Sequence, residues 1–237
     1  MEHGEPARFA VGTGHAWYRG PSGTGTAHAH AAFQITVALR GEVEIVDGDG
    51  IHHRSAALTV PPMVPHRLLP APDVLTVFVE PHRAFADLLR ARCAGRVTAT
   101  PELRGLRRAE VRHATGRPSR ELDGRLVAAL DALVDGGPSM PELAASVGMS
   151  PQRLRALARR ELGVPLPRWR IWQRLARAAE ALAAGGSPAQ AAAAGGFADQ
   201  AHFTRQLREM TGLTPAVVLP ALRPPGADGP RQPRRPT

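Results

Sequence analysis

Residues 140–163 read MPELAASVGMSPQRLRALARRELG, and residues 187–212 read SPAQAAAAGGFADQAHFTRQLREMTG. The two stretches share one plan. A short helix of small residues comes first, then a glycine-centred turn, then a capped helix with two apolar anchors and a terminal glycine. Ala144 and Ala145, like Ala191 to Ala194, let two helices approach closely. Gly148 and the Gly195–Gly196 pair permit the positive φ that a tight helix–helix turn demands. Leu154 and Leu157 anchor the outer helix of the first copy, Phe203 and Leu207 that of the second. The remaining faces carry Gln152, Arg153, Arg155, Ala156, Arg159 and Arg160 in one helix. In the other they carry Gln200, Ala201, His202, Arg205 and Arg208.

A helix that reads double-stranded DNA needs this arrangement. Its apolar stripe docks on the body of the domain, and its first turns enter the major groove. Arg and Gln there make bidentate contacts to base edges, while helix N-termini and flanking Arg hold phosphates. A generic helical bundle with a solvated arginine face is the competing reading, and the repetition of the plan argues against it.

Outward from the repeat, everything after residue 120 reads as helix. ELDGRLVAALDALVDGG puts Leu122, Leu126, Val127, Leu130 and Leu133/Val134 on one face, with Gly136–Gly137 as a stop. A short helix runs from Ser139 to Val147, the next from Pro151 to Leu162 behind a Ser150 cap. A long helix from about Pro167 to Ala184 joins the two copies, and Asp199 caps the last reading helix, which runs to about Met210. Thr214–Pro215 opens a final short helix. Residues 223–237, RPPGADGPRQPRRPT, should be a disordered basic tail.

GFADQAHFTRQLREMTGLTP, residues 196–215, closely resembles the signature of the AraC/XylS family of bacterial transcription regulators. The likeness spans roughly residues 120–220. It implies a seven-helix domain with two helix-turn-helix units joined by a rigid helix, reading successive major grooves about 34 Å apart. Matched to the motifs, the base-facing positions fall at Gln152, Arg155 and Ala156, then at Ala201, His202 and Arg205, with Gln200 near the backbone. Ala156 and Ala201 are small where the family often has longer polar side chains.

The first half has a different chemistry. Nine of the ten histidines lie at or before His113. FQITVAL, VEIV, AALTV and VLTVFVE are short apolar runs separated by RGE, DGDG, PPMVP and PAPD turns, the pattern of a sandwich or small barrel. PHRAFADLLRARC (81–93) and TPELRGLRRAEVRHA (100–114) read as helices, the second capped by Thr100, and GRPS (116–119) as a linker.

His28, His30 and Gln34 have one parity, so a regular strand would set all three on one face. Their spacing to Gly41 resembles the first cupin motif, and Pro61-x-Met63-x2-His66 resembles the second. That likeness implies a jelly-roll in which His28, His30, Gln34 and His66 hold an effector or a divalent metal. Gln34 stands where the family has an acidic ligand, and Met63 where a turn glycine is usual. A metal site, a metal-free pocket for a small molecule and a barrel with no ligand all stay open. Phe33, Ile35, Val37 and Leu39 face the other way and must pack on a helix or a partner.

The expected fold is therefore multidomain α+β: a cupin-like β sensor at 1–80, linker or dimerisation helices at 81–118, an AraC-type domain with two helix-turn-helix units at 119–222, and a tail. The expected function is effector-modulated, sequence-specific transcription regulation, not catalysis. Its partners are double-stranded DNA and a small-molecule effector, with RNA polymerase and a second copy of the chain as further candidates. The rivals are a metal-dependent cupin enzyme with a DNA-binding appendage and a non-specific architectural DNA binder.

Composition fits. The chain of 237 residues has a net charge of +9, and all 30 of its cations are arginine. Codon bias in a GC-rich genome would scatter them, but residues 150–210 hold 10 Arg against 4 acids. No apolar run approaches the ~20 residues of a membrane span. The polar N-terminus does not resemble a signal peptide, which points to the cytoplasm. Cys93 is the sole cysteine, so no internal disulfide forms; at a helix end it reads as a packed apolar residue.

Overall fold

The computed structural model of the chain describes residues 7–23, 25–133, 137–213 and 215–222. Val134, Gly136, Thr214 and the expected tail at 223–237 lie outside them. The described chain is a sheet-rich first part followed by a helical one. Strands β1 (Arg8–Gly12), β2 (His15–Ser22), β3 (Phe33–Ala38), β4 (Val43–Asp47), β5 (His52–Ser55), β6 (Ala57–Val60), β7 (His66–Leu68), β8 (Ala71–Val79) and β9 (Thr98–Ala99) form two antiparallel sheets. The larger runs in the order β1-β2-β8-β3-β6-β9, the smaller β5-β4-β7.

β3 is buried on both faces, which is why it reads as a nearly continuous apolar run. Ile35 lies opposite both Val77 and Thr59. Phe33, Ile35 and Val37 pack against Ala86, Leu89, Leu103 and Val111. These come from helices α1 (Ala84–Cys93) and α2 (Arg108–Thr115) and the 3-10 turn Pro101–Gly105 between them. The apolar stripe that had to meet a helix or a partner thus meets the chain's own helices. On the inner face Ala38 joins Val43, Ile45, Leu58, Val60 and Val74.

Three local expectations are corrected here. Residues 100–114 do not form one helix. Thr100 makes no side-chain cap; its amide donates to Ala57 O at 2.9 Å, and its hydroxyl pairs with Thr59 Oγ1 at 2.9 Å. Continued pairing to β6 holds Thr100 at the sheet edge, and only a short 3-10 turn, Pro101–Gly105, follows it before α2. GRPS is not a free linker either. Ala84 N donates to Arg117 O and Ser119 N to His82 O, tying residues 117–119 alongside the entry to α1. The helix expected from residue 120 begins only at Gly124, because Asp123 caps it by accepting from Arg125 N at 2.9 Å.

The helical part comprises α3 (Gly124–Asp131), α4 (Met140–Ser146), α5 (Pro151–Leu162), α6 (Leu166–Ala183), α7 (Pro188–Ala194), α8 (Gln200–Thr211) and α9 (Pro215–Leu222). Its starts are set by side-chain caps: Ser139 with Glu142, Ser150, Ser187 with Gln190, and Asp199. Trp169 and Phe203 are its largest fully buried side chains. This core is continuous with the sheet-rich part: Ala31 and Ala32 are members of it, and Phe9, Met63 and Phe78 pack against it. Among the described residues no helix is long and apolar enough to cross a membrane.

Candidate nucleic-acid interface and histidine site

The α4–α5 and α7–α8 pairs close their turns with the same two backbone bonds. Gly148 N donates to Ala145 O, and Met149 N to Ala144 O at 2.8 Å. Gly196 N donates to Ala193 O, and Phe197 N to Ala192 O at 2.8 Å. Both turns pass through a left-handed glycine, Gly148 at φ 65° and Gly196 at φ 70°. This glycine-terminated geometry satisfies the last carbonyls of the first helix and swings the chain into the second.

α5 buries Leu154, Leu157, Ala158 and Leu162; Gln152, Arg153, Arg155, Ala156, Arg159 and Arg160 are exposed. α8 buries Phe203, Leu207 and Met210; Gln200, Ala201, Arg205 and Arg208 are exposed. His202 is half-buried. Its Nδ1 accepts from Ala198 N at 3.4 Å, which leaves Nε2 as the ring's donor nitrogen, and its ring stands edge-on to Phe197.

The arginines of α6 behave differently from the charge pattern's suggestion. Arg174 Nε donates to Gly195 O at 3.0 Å, another of its nitrogens reaches Gly196 O, and the guanidinium lies 4.4 Å from the centre of the Phe197 ring. Arg170 donates to Pro138 O ahead of α4, and Arg168 pairs with Glu209 on α8. These three cations hold the helix pairs to the connecting helix. Part of the arginine excess is therefore internal scaffolding.

The histidines do converge, but not on a regular strand. β3 begins only at Phe33, and a bend at Ala31–Ala32 precedes it. Instead His28 and His66 pair across two chain segments, exchanging backbone bonds of 3.0 Å in both directions. Met63, at a left-handed φ of 62°, donates its amide to His30 O at 2.8 Å, so the position usual for a turn glycine keeps the glycine conformation. One potential ligand atom from each of His28, His30 and His66 lies within 4.8 Å of the others.

Their protonation follows from the contacts. Each Nδ1 sits 2.7–2.9 Å from a backbone carbonyl: Thr26 for His28, Ala32 for His30, Val64 for His66. Only Nδ1–H makes such a bond. Burial pushes His66 down to about 3, His30 well below its ordinary value and His28 below it, so the rings are neutral with the lone pair on Nε2. Gln34 Oε1 lies 3.0 Å from His30 Nε2 and 3.3 Å from His66 Nε2, while its amide nitrogen donates to Thr36 Oγ1. An oxygen facing two lone pairs needs a partner. A cation among them supplies one, and carbonyl-oriented imidazoles fit that task. Turning the Gln34 amide satisfies the same atoms without a metal, by donating to both rings.

The helical part closes over this cluster. His30 stands 5.3 Å from Phe78 and 6.2 Å from Trp172 of α6, ring centre to ring centre. Arg168 donates to Ala29 O at 3.4 Å. Trp172 and Arg168 carried no signal in the sequence beyond a tryptophan and an arginine on the connecting helix. His52 and His53 pair with Glu44 and Asp47 along β4 and β5.

Comparison with known proteins agrees with this architecture. Residues 143–220 match a family model described as a helix-turn-helix domain. No curated protein matches the chain. ToxT from Vibrio cholerae aligns over 87% of this chain and 98% of its own, with a TM-score of 0.56 at 9% identity. ToxT bound to an unsaturated fatty acid aligns over 89% and 96%, with a TM-score of 0.57 at 10% identity. A regulator with an AraC-type DNA-binding domain from Chromobacterium violaceum is 27% identical over 43% of this chain and 92% of its own, with a TM-score of 0.39. At these identities the ToxT likeness is one of fold. The chain thus carries a helix-turn-helix domain of AraC type at residues 143–220, with a sheet-rich part ahead of it.

Proposed function

We propose that the protein is a sequence-specific transcription regulator in which α4–α5 and α7–α8 are two helix-turn-helix units. The observation that carries this reading is the identical turn bonding of the two pairs, each followed by a helix with a free polar face. Gln152, Arg155 and Ala156, with Ala201, His202 and Arg205, address bases. Arg153, Arg159, Arg160, Gln200 and Arg208 address the phosphate backbone. Footprinting on the upstream region of the protein's own gene and its neighbours tests this. A discrete protected site with two segments one helical turn apart is expected, and equal affinity for every duplex would instead identify an architectural binder.

The sheet-rich part is the sensor, a cupin-like jelly-roll with His28, His30, Gln34 and His66 at its mouth. The converging lone pairs favour a divalent metal as one occupant, held by the three Nε2 atoms and Gln34 Oε1. It would supply a positive charge to those lone pairs. Imidazole-rich sites suit zinc, nickel or copper. The test is cobalt titration of the untagged chain. A saturable visible absorption that His66→Ala removes is expected, and its absence removes the metal reading.

A further inference from the structure

A cavity of about 260 Å³ lies between the sheet-rich and helical parts. Phe9 and Phe78 wall it on one side, Trp172, Leu175 and Leu207 on the other. Ala176 and Ala179 of α6 also line it, and their small side chains leave the space open. A second, smaller lobe of about 110 Å³ shares Phe9, Phe78, Thr211, Leu213 and Val218 with it. An apolar void of about 150 Å³ stays dry and takes benzene, whereas pockets for drug-sized ligands start near 300 Å³. The larger lobe thus suits a compact, mainly apolar molecule.

Part of its lining is polar. Arg83 lines the cavity, and its Nε is buried without a hydrogen bond. The guanidinium already has two carboxylate neighbours, Glu80 at 3.6 Å and Asp131 at 3.2 Å. Glu180 and His15 also line the cavity. Carboxylates outnumber the guanidinium there, so an anion is disfavoured, while a neutral oxygen can still accept from Nε.

We infer that this cavity is a binding site for a compact uncharged molecule, aromatic or alicyclic, with one carbonyl or hydroxyl oxygen directed at Arg83. The inference deepens the effector-sensing reading but does not depend on the histidine site. Its occupant touches α6, the last turn of α8 and β8 at once, so it bears directly on how the reading helices are held against the sheet-rich part.

The experiment uses the full chain and four probes of similar shape: acetophenone, ethylbenzene, benzoate and benzylamine. Ligand-observed NMR reads saturable binding, with DNA binding of the same preparation measured separately. The expected result is saturable binding of acetophenone, weaker binding of ethylbenzene and none of the two ions. Ala176→Phe, which fills the cavity, should abolish acetophenone binding. Should circular dichroism show that variant unfolded, Ala179→Leu decides in its place. Acetophenone binding that survives the filling substitution, no saturable binding at all, or a preference for benzoate overturns the inference. Loss of operator recognition with probe binding intact counts against the regulator reading alone.

Discussion

Gln173 of α6 donates to Glu80 at the end of β8 at 2.7 Å, and both side chains are buried where the helices meet the sheet-rich part. Among the described residues, Arg83 Nε at 3.6 Å and His82 Nε2 at 3.8 Å lie farther from Glu80 than the Gln173 amide does. Removing the amide leaves a buried carboxylate short of a donor. Gln173→Leu should therefore cost about 1–3 kcal/mol. Urea unfolding of the full chain measures it, and an unchanged midpoint would show that the contact does not hold the two parts together.

Gly212 closes α8 at φ 69°, and a Cβ there would come 2.8 Å from His28 Nδ1 and 3.0 Å from Thr26 O. Gly163 closes α5 at φ 68° with open space around it. Both Gly→Ala variants incur the left-handed penalty of roughly 1–2 kcal/mol. Gly212→Ala adds the collision with the histidine segment. Its thermal midpoint should fall further than that of Gly163→Ala, and equal falls would mean that the segment yields freely.

Arg155→Ala and Arg205→Ala should each weaken operator binding by about 1–3 kcal/mol and relax base preference locally. Arg159→Ala should weaken every duplex about equally and flatten the salt dependence. Competition binding at several salt concentrations separates the two classes. Unchanged operator affinity in both of the first variants removes the base-reading assignment.

Burial pushes the Cys93 thiol up to about 11, against an ordinary value of 9.0. A raised thiol favours the folded state below its unfolded value, and that contribution is lost as pH rises from 9 towards 11. At pH 8 the native chain should therefore resist an aromatic disulfide reagent, reacting only as it unfolds. Rapid labelling of the native protein would contradict this.

Much of the helical part was legible because its signals are local. Ser150, Pro151, Gly163, Asp199 and Gly212 mark helix ends within one turn of the residues they act on, and the observed bounds of α5 and α8 follow them closely. The helix expected at 100–114 failed for the opposite reason. Thr100 has a good local reason to cap, but a hydrogen-bonding partner 41 residues away holds its hydroxyl.

The sequence by itself determined where the helix pairs lie, which faces they bury and that histidines gather in the first half, since periodicity and turn chemistry are short-range. Tertiary structure alone decided the rest. It brings His66 opposite His28 across a bend that breaks strand parity, turns Arg168, Arg170 and Arg174 inward, and opens a cavity between the two parts. Those outcomes depend on pairing and packing between residues tens of positions apart, and no local pattern encodes such distances.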